Sequence, residues 1–126
     1  MKFLYIGIFI LISTLVLSIV LITWTDVCIS RTAKLLEKAL DACDKGDVAL
    51  AYEKGNEAEQ MWKKYDGLLG VVLDHSEADG ITFGIAEMNS YAVTDTLSDF
   101  RRCCAEACAQ MHHVAQKEWP YYYNLL

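Results

Sequence analysis

Proline is nearly absent, with one residue in 126, and glycine is sparse at seven. A collagen-like chain needs glycine at every third position and a disordered linker needs far more proline, so both are excluded. Basic residues are also in short supply: 11 Lys and Arg stand against 17 Asp and Glu, a net charge of -6. Proteins that bind nucleic acid gain affinity by neutralising phosphates, and this balance has the wrong sign. No nucleic-acid partner is expected. No segment alternates apolar and polar residues with the period of two of a half-buried strand. Catalytic signatures are missing too: there is no phosphate-binding glycine loop ending in Lys-Ser or Lys-Thr, no Gly-x-Ser-x-Gly elbow, no HExxH and no CxxC. The chain reads as a non-enzyme for which no cofactor is called for.

What is present is an excess of apolar residues, 54% of the chain, unevenly placed. From Phe3 to Trp24 run 22 residues without charge or proline, broken only by Gly7, Ser13, Thr14, Ser18 and Thr23. As a helix this stretch is roughly 33 Å long at 1.5 Å per residue, enough to cross a hydrocarbon core of about 30 Å. It reads as a single transmembrane anchor over residues 1–25, with Trp24 at the interface. A cleaved signal peptide is the rival, but its apolar region is shorter and no small-x-small cleavage site precedes Asp26. Val27 before Cys28 also fits a lipoprotein site poorly.

The remainder, residues 26–126, has 10 basic and 17 acidic residues, a net charge of -7. Lys2 and the N-terminal amine favour a cytoplasmic N-terminus and place this acidic part outside the cell membrane, although Arg31, Lys34 and Lys38 pull the other way. Five cysteines cannot all close into intrachain disulfides, and the Cys103-Cys104 pair does not resemble a disulfide scaffold.

Helical periodicity dominates this part. Ile29, Ala33, Leu36, Leu40 and Cys43 form one apolar stripe, on a helix that continues from the anchor. Gly46 suits a left-handed C-terminal cap and Asp47 the next N-cap. Val48, Ala51, Tyr52, Gly55, Ala58, Met61, Trp62, Tyr65 and Leu69 form a second stripe, and a bend is expected between Tyr65 and His75, near Gly67 and Gly70. Ile81, Ile85, Met88 and Ala92 make a third stripe after a start near Ser76. Thr94 or Asp95 caps a fourth, carrying Leu97, Phe100, Cys104, Ala107, Cys108, Met111 and Ala115 until Trp119-Pro120 ends it. The fold class is all-α: an N-terminal transmembrane helix followed by a small antiparallel bundle of about four helices.

Three constellations carry candidate chemistry. Cys104, Cys108 and His112 recur at i, i+4 and i+8, beside Cys103, Met111 and His113, and offer soft ligands to Cu(I) or Zn²⁺. The competing reading is that these cysteines are small hydrophobes of the core, and Cys103 paired with His112 or His113 as nucleophile and base has still less support. Asp74-His75-Ser76-Glu77-Ala78-Asp79 is the densest polar segment. His75 as a base or ligand is one reading, and a capping box at Ser76 and Asp79 is the simpler one. A calcium loop is excluded, since Ala78 stands at a ligand position and Gly80 falls one place late. The segment Trp119 to Leu126 is rich in aromatic and apolar residues and is expected to pack on the bundle, a partner or the interface.

The anchor, the acidic helical region, Trp62, the His75-x-Glu77-x-Asp79 segment followed by Ile81, and Glu118 with Asn124-Leu125 together resemble the small anchored proteins of Firmicutes grouped as domain of unknown function 4363. The cysteines and the two histidines of the fourth helix lie outside the pattern of that family. The resemblance implies a single-pass membrane protein with a polar motif at His75, Glu77 and Asp79 and no known activity. The whole reading is thus an accessory interaction module, embedded in membrane lipid through its first helix and binding a membrane or envelope protein, with Trp62, Trp119, Asn124 and Leu125 as candidate contact residues. The alternative is a soft-metal or thiol redox protein built on Cys104, Cys108 and His112.

Overall fold

The computed structural model describes residues 1–72 and 75–125, and side chains throughout these except at 68–72 and 116–125. Four helices make up the described residues: α1 (Lys2–Asp44), α2 (Val48–Val72), α3 (His75–Val93) and α4 (Leu97–Leu125). The all-α expectation holds. α1 packs on α2, α2 on α3, α3 on α4, and α4 closes the ring against α1. Connections of a few residues make each sequential pair antiparallel, the up-down-up-down arrangement of a four-helix bundle.

α1 spans 43 residues without a break, so the apolar stretch and the first bundle helix are one rod of roughly 64 Å. Its surroundings change abruptly along that length. Phe3 is 89% exposed and Leu11 70%, whereas Thr25 and Ile29 are buried at 1% and 3%. No linker separates the segments on either side of residue 25. Thr14, Ser18 and Thr23 return their hydroxyls to the carbonyls of Ile10, Thr14 and Ile19, at 2.7–2.9 Å. Such back-bonding satisfies polar side chains from within the helix itself.

The core is assembled from the stripes that the periodicity marks out. Leu36, Ile81, Ile85, Met88, Phe100 and Met111 are fully buried. Ala39, Ala51 and Ala58 are buried among them and let the helices approach closely. At Gly55 an added Cβ would stand 2.8 Å from the Phe100 ring, so α2 and the Phe100 side chain meet where only glycine fits.

Two corners at the far end of the bundle share one construction. Gly46 has φ 77°, and Gly46 and Asp47 donate to the carbonyls of Cys43 and Ala42. This is the Schellman arrangement, and the Asp47 side chain then accepts from the Leu50 amide at 3.2 Å as an N-cap. At the second corner Asp95 has φ 54°, with Asp95 and Thr96 donating to Ala92 and Tyr91. Asp95 therefore terminates α3 rather than capping α4, and Thr96 takes the position before Leu97. Aspartate tolerates left-handed backbone better than most residues, and its carboxylate is held by the Tyr52 hydroxyl at 2.9 Å.

The break expected between Tyr65 and His75 falls inside that interval, with α2 ending at Val72 and α3 beginning at His75. α2 passes through Gly67 on the way, because an isolated glycine lowers helix propensity by only about 1 kcal/mol. The last expected break moves. α4 continues past Trp119-Pro120 to Leu125, since a proline removes one amide donor and bends a helix without having to end it.

Candidate functional site

The first and last helices of the bundle bring three ligating groups together. Glu37 projects from α1, and Cys108 and His112 stand one turn apart on α4. One donor atom from each, a carboxylate oxygen, the thiol sulfur and an imidazole nitrogen, lie within 4.8 Å of one another. His112 Nε2 and Glu37 Oε1 are 3.0 Å apart, both on side chains about half exposed. Cys108 is buried beneath them. Its thiol is pushed up by burial and, secondarily, by the Glu37 carboxylate.

Cys104 is not part of this group. Each step of four residues rotates a helical position by about 40°, so i and i+8 diverge by about 80°. That rotation carries the Cys104 side chain into the core, where its thiol donates to the Leu36 carbonyl at 3.2 Å. Burial, reinforced by the neighbouring thiols Cys43, Cys108 and Cys103, holds it protonated, its pKa pushed up to about 12. The expected trio of Cys104, Cys108 and His112 is thus replaced by Glu37, Cys108 and His112. The missing member was 75 residues away from His112 in sequence. Only the pairing of the first helix with the last reveals it.

All five cysteines are buried free thiols. Burial raises Cys43 and Cys103 as well. Reactive thiols sit in exposed, electropositive surroundings with depressed pKa, so this environment disfavours redox sensing.

His75, Glu77 and Asp79 occupy the first turns of α3. His75 and Asp79 are exposed and one turn apart, while Glu77 is half-buried and rotated about 200° from His75. The three do not share a helix face. Ser76 lies inside α3 rather than before it, because the helix already begins at His75.

Trp62 is a core residue, only 1% exposed, and not a contact residue. Its indole N–H donates to the Thr82 hydroxyl at 2.8 Å, and that hydroxyl in turn donates to the Ala78 carbonyl at 2.9 Å. This chain lets a large amphipathic ring be buried with its polar atom satisfied. The side chains of Trp119, Asn124 and Leu125 lie outside the described residues, as do those of Leu69 and Glu118.

Fold and site together define a small antiparallel helical bundle carried on the end of a long apolar helix, with a mixed Glu–Cys–His cluster between its first and last bundle helices. The chain belongs to the family described as domain of unknown function (DUF4363), whose model matches residues 25–125. That match begins at Thr25, the first buried residue of α1, so family domain and bundle coincide. Among curated proteins and among solved structures no match is found.

Proposed function

We propose that this protein is a single-pass membrane-anchored helical module that acts as an accessory to another membrane or envelope protein. The observation that carries the reading is α1 itself. Its first half exposes Phe3, Leu4, Phe9, Ile10, Leu11 and Leu15 on all sides, while its second half is locked into the bundle. Burying such a side chain is worth about 1.5–3 kcal/mol, and a run of them around a whole helix finds that gain in lipid. This is also the one helix among the described residues that is long and apolar enough to cross a membrane.

Because the rod has no hinge, the acidic bundle stands directly on the membrane surface, where its neighbours are other membrane and envelope proteins. With Lys2 on the cytoplasmic side of the span, the bundle lies on the outer side. The absence of catalytic sequence signatures favours binding over turnover.

Photocrosslinking in cells, from an amino acid incorporated at exposed positions such as Glu53, Ser90 and Ser98, tests it. Discrete adducts with the same membrane or envelope protein are expected from the intact chain. Loss of those adducts on replacing the bundle, but not on exchanging residues 3–24 for an unrelated membrane span, is the expected pattern. No discrete adduct from any position overturns the proposal.

A further inference from the structure

We propose that Glu37, Cys108 and His112 form a zinc-type metal site that clamps the first bundle helix to the last. A histidine–glutamate pair alone would be an ordinary surface contact, worth little. The third group makes the difference. Cys108 precedes His112 by one helical turn, the spacing at which two side chains on one helix converge on a common ligand. Glu37 reaches the same point from α1, so three donor atoms of three chemical kinds lie within 4.8 Å of each other across a helix interface.

The donor set selects the metal. A thiolate, an imidazole and a carboxylate are all ligands of Zn²⁺, whereas Mg²⁺ and Ca²⁺ require mainly oxygen and Cu(I) favours sulfur. Three protein ligands leave one tetrahedral position, and the half-exposed Glu37 and His112 keep it open to water. Donor atoms around tetrahedral zinc stand roughly 3.3–3.8 Å apart, given bond lengths of about 2.0–2.3 Å. Reaching that geometry from a 3.0 Å His112–Glu37 contact and a 4.8 Å outer limit needs shifts of about 1 Å or less, which rotation of the two exposed side chains supplies. Charge balances as well: one thiolate and one carboxylate neutralise the dication, which suits a cluster whose sulfur is buried. On binding, the metal–sulfur bond replaces the S–H bond, the proton passes to solvent, and nothing is oxidised or reduced.

The full chain in detergent micelles, stripped with a chelator and titrated with Co²⁺, tests the site. One equivalent is expected to produce a thiolate-to-cobalt charge-transfer band with the intense visible bands of tetrahedral Co²⁺, and Zn²⁺ is expected to abolish both. Cys108→Ser should remove the charge-transfer band. Because Cys108 is buried, the exposed variants Glu37→Gln and His112→Gln provide a test independent of folding, each weakening Co²⁺ binding by about tenfold or more. Cys104→Ala should titrate like the parent. Zinc should also raise the melting temperature of the parent chain and not that of His112→Gln. The site is overturned if the parent gives no charge-transfer band, if the band persists in Cys108→Ser, or if Glu37→Gln and His112→Gln bind like the parent.

Discussion

Trp24 of α1 and Tyr65 of α2 meet edge to face, their ring centroids 5.5 Å apart and their planes at 86°. The contact sits where the exposed apolar stretch ends and the buried stripe begins, and it ties α2 to α1 at that level. Aromatic pairs of this geometry contribute about 0.5–1.5 kcal/mol beyond their buried area. A double-mutant cycle with Trp24→Leu and Tyr65→Leu should return a coupling of that size in denaturant unfolding of the detergent-solubilised chain. Additive effects would show that the two rings do not hold the junction.

Two glycines should respond oppositely to the same substitution. A Cβ at Gly55 meets the Phe100 ring at 2.8 Å and the Asn89 side-chain oxygen at 3.0 Å, whereas one at Gly84 meets nothing within 4 Å. Gly55→Ala should therefore destabilise by about 1–3 kcal/mol through overpacking. Gly84→Ala should stabilise by about 0.4–1 kcal/mol by reducing the freedom of the unfolded chain. Thermal unfolding followed by circular dichroism separates the two signs.

Alkaline pH should weaken the bundle through its thiols. Cys104 titrates at about 12 in the folded chain against an ordinary value of 9.0. A raised thiol pKa means that the folded state keeps its proton longer than the unfolded one. Its stabilising effect is complete below about pH 9 and declines as pH rises through 12. Cys43, Cys103 and Cys108 are raised in the same direction. Cys104→Ala should reduce the slope of stability against pH in this window, measured by denaturant unfolding at several pH values. An unchanged slope would mean that the Cys104 thiol does not govern it.

The stripes were legible because a helix face repeats every three to four residues, and Leu36, Ile81, Ile85, Phe100 and Met111 all fall where that repeat puts the core. The Gly46 corner was legible too, since glycine followed by aspartate marks a left-handed end and a new cap. Asp95 was not. Aspartate is common both as an N-cap and, less often, in left-handed backbone, and Thr94 and Asp95 compete as caps by residue type alone. Trp62 falls on the second apolar stripe and is also a candidate contact residue by its type; what the stripe does not reveal is Thr82, the partner that lets its indole be buried. The pairing of Glu37 with His112 depends on the register of the first helix against the last, and local periodicity carries no information about that register. The clue available was modest: Glu37 flanks the buried Leu36 just as His112 flanks the buried Met111.

The continuous α1 is tested most directly by the state of the chain in cells. Membranes should be washed at alkaline pH, the protein recovered and its intact mass measured. The expected result is that the protein stays in the washed membrane, is released only by detergent, and has a mass that includes residues 3–24. Release by the wash, or a mature chain lacking the apolar stretch, would contradict a bundle built on a membrane-spanning rod.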